Sequence, residues 1–186
     1  MKKIGPSMLL LMALLGCDKA PIKPEWTGWG DVNATRNGSK WTNTAVAALF
    51  VKTQLNGKCN GYIDLQFYKF SDSGDIRESL HISGISPQSP GRYGLVDEAT
   101  SACGSGSALA GYQTNDDDVR ISVYSFDQSQ PNHLEITAYD STTHRIEGTF
   151  RVTFNKQAAY TNNDPATVSF TGGKFSAPVN DKGRFE

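Results

Sequence analysis

Hydrophobic residues in this chain recur at every second position, run after run, and that period decides what the chain can fold into. Tyr62–Phe70 (YIDLQFYKF) puts Ile63, Leu65 and Phe67 on one face and Asp64, Gln66 and Tyr68 on the other. A period of two is the signature of a half-buried strand; a helix would need apolar residues three and four apart. Ile76, Glu78, Leu80 and Ile82 likewise oppose Arg77, Ser79, His81 and Ser83. Between the two runs lies Ser71-Asp72-Ser73-Gly74-Asp75, residues that favour turns, so the pair reads as a hairpin. Val119–Phe126, His133–Asp140 and Arg145–Phe154 alternate in the same way, the last with Ile146, Gly148, Phe150, Val152 and Phe154 facing inward. Asn37-Gly38 suits the positive φ angles of a type I′ turn between short strands at Asp31–Thr35 and Lys40–Thr42. Residues 45–53 are apolar and read as a strand, with a short helix as the alternative; Gly91–Leu95 is a short strand entered through a glycine. Val168–Phe170 and Lys174–Ser176 close the domain around Gly172-Gly173. No helical stripe competes with these runs. The fold class expected is all-β: an antiparallel β-sandwich, or a flattened barrel, of about nine or ten strands with mostly meander connections.

The first seventeen residues, MKKIGPSMLLLMALLGC, have a different character. Lys2 and Lys3 precede an unbroken apolar run from Met8 to Leu15, the length of a signal-peptide core and far short of the roughly 20 residues a membrane span needs. Leu14-Leu15-Gly16-Cys17 fits a lipobox, in which a small residue admits the peptidase and the thiol of Cys17 takes a diacylglyceryl group. The expected organisation is a lipoprotein signal peptide at 1–16, a lipidated N-terminus and tether at 17–29, and a single β domain at 30–186. Each buried methylene of the palmitate-type acyl chains adds about 0.8 kcal/mol, and more than one chain is needed for a lasting membrane anchor. The localisation expected is the cell envelope, on the periplasmic face of a membrane or the cell surface. Asp18 fits two sorting outcomes, inner-membrane retention or surface export, and leaves both open. Pro21 and Pro24 make the tether extended. Trp26 and Trp29 pack on the domain edge or sit at the membrane interface, the former being preferred.

The formal charge is −1, and loss of the two signal-peptide lysines takes it to −3. A mildly acidic chain without a basic run lacks the electrostatic footprint of a nucleic-acid binder. Of the three cysteines, Cys59 and Cys103 remain once Cys17 carries lipid. In an oxidising compartment their natural fate is a disulfide, worth roughly 4 kcal/mol by loop entropy; the alternative is two buried free thiols.

Motifs that carry catalysis are missing. There is no nucleophile elbow, phosphate-binding loop, zinc-protease helix or dinucleotide fingerprint, so no cofactor and no catalytic residue is assigned. His81, His133 and His144 lack metal-ligand spacing and read as strand-surface residues. Asn115-Asp116-Asp117-Asp118 offers hard oxygens for Ca²⁺, but a solvated turn is the plainer account. Glycan hydrolysis would need two carboxylates facing across a cleft. Asp64, Glu78 and Glu135 are the strand-borne acids, and a surface strand face is the plainer account of them too. Tyr62, Tyr68, Tyr93, Tyr112, Tyr124 and Tyr139 fall on or beside strands, where they stack on a ligand or pair across strands in the core, with core pairing preferred. Asp140-Ser141-Thr142 matches a short O-glycosylation sequon of Bacteroidota, with Ser141 as acceptor.

Leu134–Asp140, Arg145-Ile-Glu-Gly-Thr-Phe150-Arg-Val-Thr-Phe154 and Val168-Ser-Phe-Thr-Gly172-Gly-Lys-Phe175, together with Asn37-Gly38-Ser39-Lys40-Trp41 and Gly91-Arg92-Tyr93, resemble a family of uncharacterised Bacteroidota lipoprotein domains. The resemblance implies an all-β fold on a lipid anchor and carries over no catalytic residue. The function expected is a lipid-anchored extracytoplasmic binding or interaction module, with a glycan, a peptide or an envelope protein as its partner. A glycan-acting envelope hydrolase and a structural accessory subunit of an envelope complex are the alternatives.

Cys17→Ala is expected to abolish membrane fractionation and leave unprocessed precursor; a variant that still sediments with membranes contradicts the lipid anchor. Intact mass after alkylation, with and without prior reduction, tests the Cys59–Cys103 bridge: two extra alkyl groups are expected only after reduction.

Overall fold

The computed structural model describes residues 28–52, 61–87, 90–96, 106–161 and 163–181. Cys17, Cys59 and Cys103, the signal peptide expected at 1–16 and the expected tether up to residue 27 lie outside the described residues. The described chain is all-β, with eleven strands: β1 (Asp31–Arg36), β2 (Ser39–Trp41), β3 (Thr44–Val51), β4 (Tyr62–Phe70), β5 (Ile76–Ile85), β6 (Gly91–Val96), β7 (Ser107–Asp116), β8 (Val119–Phe126), β9 (His133–Asp140), β10 (Arg145–Ala159) and β11 (Thr167–Asn180).

The two longest strands, β10 and β11, form the spine, paired antiparallel from Arg145↔Pro178 to Asn155↔Thr167. The other edge of β10 is shared: β9 pairs its first half and β8 its last. From β9 the ladder continues to β6 and from β6 to β7, while β8 pairs β7 directly. β7 leads through β5 and β4 to β3, and β3 returns to β11 at Ala48↔Val179 and Leu49↔Asn180. The hydrogen-bonded circuit therefore closes on itself. The domain is a flattened, irregular barrel whose two walls face each other across the core as sandwich layers do. β1 lies along β11 and reaches β3 through a bridge from Gly30 to Val46, and β2 hangs on β1 as a short edge. Every named strand pairing is antiparallel except β11–β3 and β6–β7. The connections β3–β4–β5, β7–β8 and β9–β10–β11 are the expected meanders.

The alternation read from the sequence falls where the side chains point. Ile63, Leu65, Phe67, Leu80, Ile82, Ile146, Phe150, Val152 and Phe154 are all buried in one core cluster. Burying each such side chain stabilises the fold by about 1.5–3 kcal/mol against leaving it in water. The Asn37-Gly38 turn has φ angles of 46° and 82°, as a type I′ hairpin requires. Residues 45–49 form a strand and no helix: Ala45, Val46, Ala47 and Ala48 are fully buried, so β3 is covered on both faces and never had to alternate.

Two features depart from the sequence reading. Ser107–Asp116 is a full strand, β7, which raises the count to eleven. Its inward residues are Ala108, Ala110, Tyr112 and Thr114, mostly small, with a glycine at 111, so its hydrophobic signal is faint. Residues 167–180 form one strand where two short ones were expected. Gly172, at φ 59°, sits in a bulge where Arg151 alone opposes Thr171 and Gly172. The extra residue shifts the inward phase from Val168 and Phe170 to Gly173, Phe175 and Ala177.

At the centre of the spine glycine and phenylalanine pair reciprocally, Gly148 with Phe175 and Phe150 with Gly173. Each ring lies over the glycine opposite: a Cβ at Gly173 would stand 2.6 Å from the Phe150 ring, and one at Gly148 would stand 2.8 Å from that of Phe175. Phe67 from the facing wall packs on both rings, with centroids 4.8 Å from Phe150 and 5.5 Å from Phe175. Phe150 is 1% exposed and has no room to yield. Gly173→Ala is therefore expected to cost about 1–3 kcal/mol, the usual penalty for overpacking, read as a lower urea midpoint at unchanged slope.

Candidate functional site

Three side-chain constellations stand out on this frame: one inside one end of the barrel, one on the outer face of β4–β5, and one on the outer face of β8–β10.

The first surrounds Glu78. Its place in β5, in phase with Leu80 and Ile82, turns it inward, and it is 7% exposed. The surface position expected of Glu78 is thus corrected. Its Oε2 accepts hydrogen bonds from Trp41 Nε1 and from the Tyr112 hydroxyl, both at 3.0 Å, and pairs with Arg36 Nε at 3.0 Å. Lys69 Nζ stands 3.7 Å from its other oxygen. Arg36 also donates to the Tyr112 hydroxyl from Nη2 at 3.2 Å. The β1–β2 hairpin supplies Arg36 and Trp41, so this cluster fastens the hairpin over the barrel end. Beside it, Asp164 in the β10–β11 connection accepts from Thr114 at 2.7 Å and Ser122 at 2.6 Å, and Tyr124 donates to the Pro165 carbonyl at 3.0 Å.

Burial, then the Glu78 charge, pushes the Tyr112 hydroxyl well above the usual tyrosine range. Burial and the neighbouring Asp164 charge push Tyr124 up to about 12. Burial opposes ionisation of Asp164, yet hydrogen bonds from Ser122 and Thr114 and the charge of Lys156 outweigh it and hold the carboxyl below its ordinary value. The donors and acceptors of this cluster satisfy one another. That is the arrangement of a structural clasp.

The second constellation is polar. On β4 the Gln66 amide donates to Asp64 at 2.7 Å and accepts from the Tyr68 hydroxyl at 2.6 Å, and Ser83 on β5 donates to the other oxygen of Asp64. His81 lies exposed beside this row, its ring over Gly111. Trp29 meets Tyr68 edge-on at 5.7 Å and Phe70 at 5.5 Å, so this tryptophan packs on the domain, as expected. Trp26 lies outside the described residues.

The third is a groove of about 530 Å³ lined by Val119, Arg120, Ile121, Val123, Ala158, Ala159 and Tyr160. It owes its shape to a bulge between Lys156 and Ala158. Ile121 and Val123 take the outer face of β8, because Ser122, Tyr124 and Phe126 take the inner one, and a bulge at Ile121 brings Arg120, opposite Asn115, to that same outer face. Ala158 and Ala159 leave a depression beside these branched side chains, and Tyr160, 85% exposed, walls it. The Tyr160 amide donates to the Ile121 carbonyl at 2.9 Å and holds that wall in place. Val119 is 56% exposed; with Tyr160 it is one of two large hydrophobic residues left to solvent among the described residues.

The other sequence candidates are scattered. The strand-borne acids do not face one another: Glu78 is inside, whereas Asp64 and Glu135 lie on outer faces. His133 is half-buried at the start of β9 with its Nδ1 unpaired, and His144 is exposed in the β9–β10 turn at φ 49°. Among the described residues no group of three or more His, Cys, Asp or Glu could hold a metal ion. Asp116 is engaged by Arg77, and Asp117 turns the chain at φ 59°. Tyr93, Tyr112 and Tyr124 are core residues, while Tyr62, Tyr68 and Tyr139 are half-buried, so core pairing is the better account of the tyrosines. Tyr160, the exposed one, was not singled out from the sequence. Its signal was the second apolar face of β8, where residues outside the core phase are also branched and apolar. Ser141 is exposed in the β9–β10 turn, which Asp140 organises by accepting from the Thr142 and Thr143 amides.

Glu78→Ala removes the carboxylate that Arg36, Trp41 and Tyr112 share and is expected to cost about 3 kcal/mol in urea unfolding. Glu78→Gln loses less, since its amide oxygen still accepts one of the bonds. Alkali acts on one tyrosine of the first constellation and one of the second. Tyr124, like Tyr68, has its pKa pushed up to about 12, so it holds its proton more tightly folded than unfolded. The contribution is whole below about pH 10, where unfolded tyrosine starts to ionise, and is lost as pH rises through about 12. Urea midpoints are expected to fall across that window.

Comparison with protein-family models, with curated proteins and with solved structures yields no match, so the residues themselves carry the functional reading.

Proposed function

We propose that the protein is a lipid-anchored, extracytoplasmic binding module that takes its ligand in the groove between β8 and the end of β10. The groove is the observation that carries the reading. Its volume of about 530 Å³ falls within the range of small-molecule sites, and its lining is apolar with one aromatic and one cationic side chain. Val119 and Tyr160, the two large hydrophobic residues left to solvent among the described residues, both line it. The lipobox ending in Cys17 supports the anchor, and the clasp at Glu78 supports a rigid frame behind the groove.

A photo-activatable residue in place of Val119, in the full-length protein in its native envelope, tests this. Illumination is expected to give an adduct by intact mass that is lost when Ala158→Phe fills the groove. The same residue in place of Glu135, on the outer face of β9, is expected to give none. Equal labelling at both positions would sink the assignment of the groove.

A further inference from the structure

We propose that this groove selects a free, single-chain anionic amphiphile: an apolar body of aliphatic or aromatic carbon carrying one carboxylate or similar anion. The inference rests on the groove being the binding site and adds the chemistry of what it binds.

The floor supplies the apolar half. Ile121 and Val123 present branched methyl groups from the outer face of β8, Val119 lines the same groove, and Ala158 leaves the space beside them open. Backbone groups contribute little, because β8 and β10 already bond to each other here, through the Val123↔Ala158 and Ser122↔Ala159 pairs and the Tyr160 amide. A peptide adding itself as a further strand would find no free edge between them.

Arg120 supplies the polar half. Arg36, Arg77 and Arg145 each have a carboxylate partner, whereas Arg92, Arg120 and Arg151 have no ion pair or side-chain hydrogen bond among the described residues, and of these three Arg120 lines the groove. The acids nearest in sequence, Asp117 and Asp118, belong to the β7–β8 turn and do not line the groove. An unpaired guanidinium at an apolar depression complements a ligand whose apolar body ends in an anion, and its planar fork suits a carboxylate or phosphate. The size of the groove favours a small molecule over a protein partner, whose stable interface needs about 800 Å² on each side.

Equilibrium dialysis of octanoate, octylamine and octanol against the full-length protein in neutral phosphatidylcholine nanodiscs, with empty discs subtracted, tests the proposal. Octanoate is expected to bind about tenfold more tightly than octylamine. Arg120→Gln is expected to lower octanoate affinity about tenfold and leave octanol unchanged, and Ala158→Phe to remove all three. Circular dichroism checks that both variants fold. If the three probes bind alike to the parent and to Arg120→Gln, anion selection is overturned while the groove stands. If Ala158→Phe changes none of them, the groove fails as well. If octanoate does not bind, and Cys17→Ala protein is retained on phosphatidylglycerol vesicles but released by the further change Arg120→Gln, Arg120 serves a lipid surface and the free ligand is overturned.

Discussion

The fold depends on how closely β10 and β11 approach each other's aromatic rings. Phe150 lies over Gly173 and Phe175 over Gly148, two pairs that are reciprocal across one ladder. A glycine in a strand interior normally weakens it, since it adds backbone entropy and packs nothing. Here the ring opposite fills the missing volume, and the exchange brings two phenylalanines to the same depth. Phe67 from the opposite wall packs on both. That contact ties the spine to the meander β3–β4–β5, and the bulge at Gly172 makes it possible by turning both Phe170 and Gly173 inward.

Electrostatics organises one end of the barrel. A buried carboxylate is costly unless its oxygens are fully occupied. Glu78 has a cation and two neutral donors around one oxygen and a lysine near the other. These partners come from β1, β2, β4 and β7, so their contribution is geometric as much as energetic: the hairpin cannot lift away without stranding charge. Asp164 does the same for the connection between β10 and β11 through Thr114 and Ser122. The outer groove lies on β8 and β10, the strands flanked by this connection and by the β7–β8 turn.

The groove is built from strand side chains and one tyrosine just beyond β10, so its shape follows from the strand pairing itself. The exposed β9–β10 turn, ordered by Asp140, places Ser141 near the start of β10, the end opposite the groove.

Period-two patterning in β4, β5 and β10 was sufficient to assign those strands and their inward faces, because alternation is a local property that burial on one side enforces. Asn37-Gly38 likewise announced its turn through backbone preference alone. β7 stayed hidden because its inward residues are mostly small, and β11 looked like two strands because a bulge changes phase without leaving a hydrophobic mark. The burial of Glu78 was implied by its phase with Leu80 and Ile82, but its acceptance inside depended on Arg36, Trp41, Lys69 and Tyr112, residues up to 42 positions away that only closure of the barrel brings together. The groove was equally illegible: its sides come from β8 and the end of β10, and a bulge between Lys156 and Ala158 sets its shape. The sequence by itself determined strands and turns, each written in neighbouring residues. The tertiary structure decided where charge is buried and where apolar surface stays open, because both depend on contacts between segments far apart in the chain.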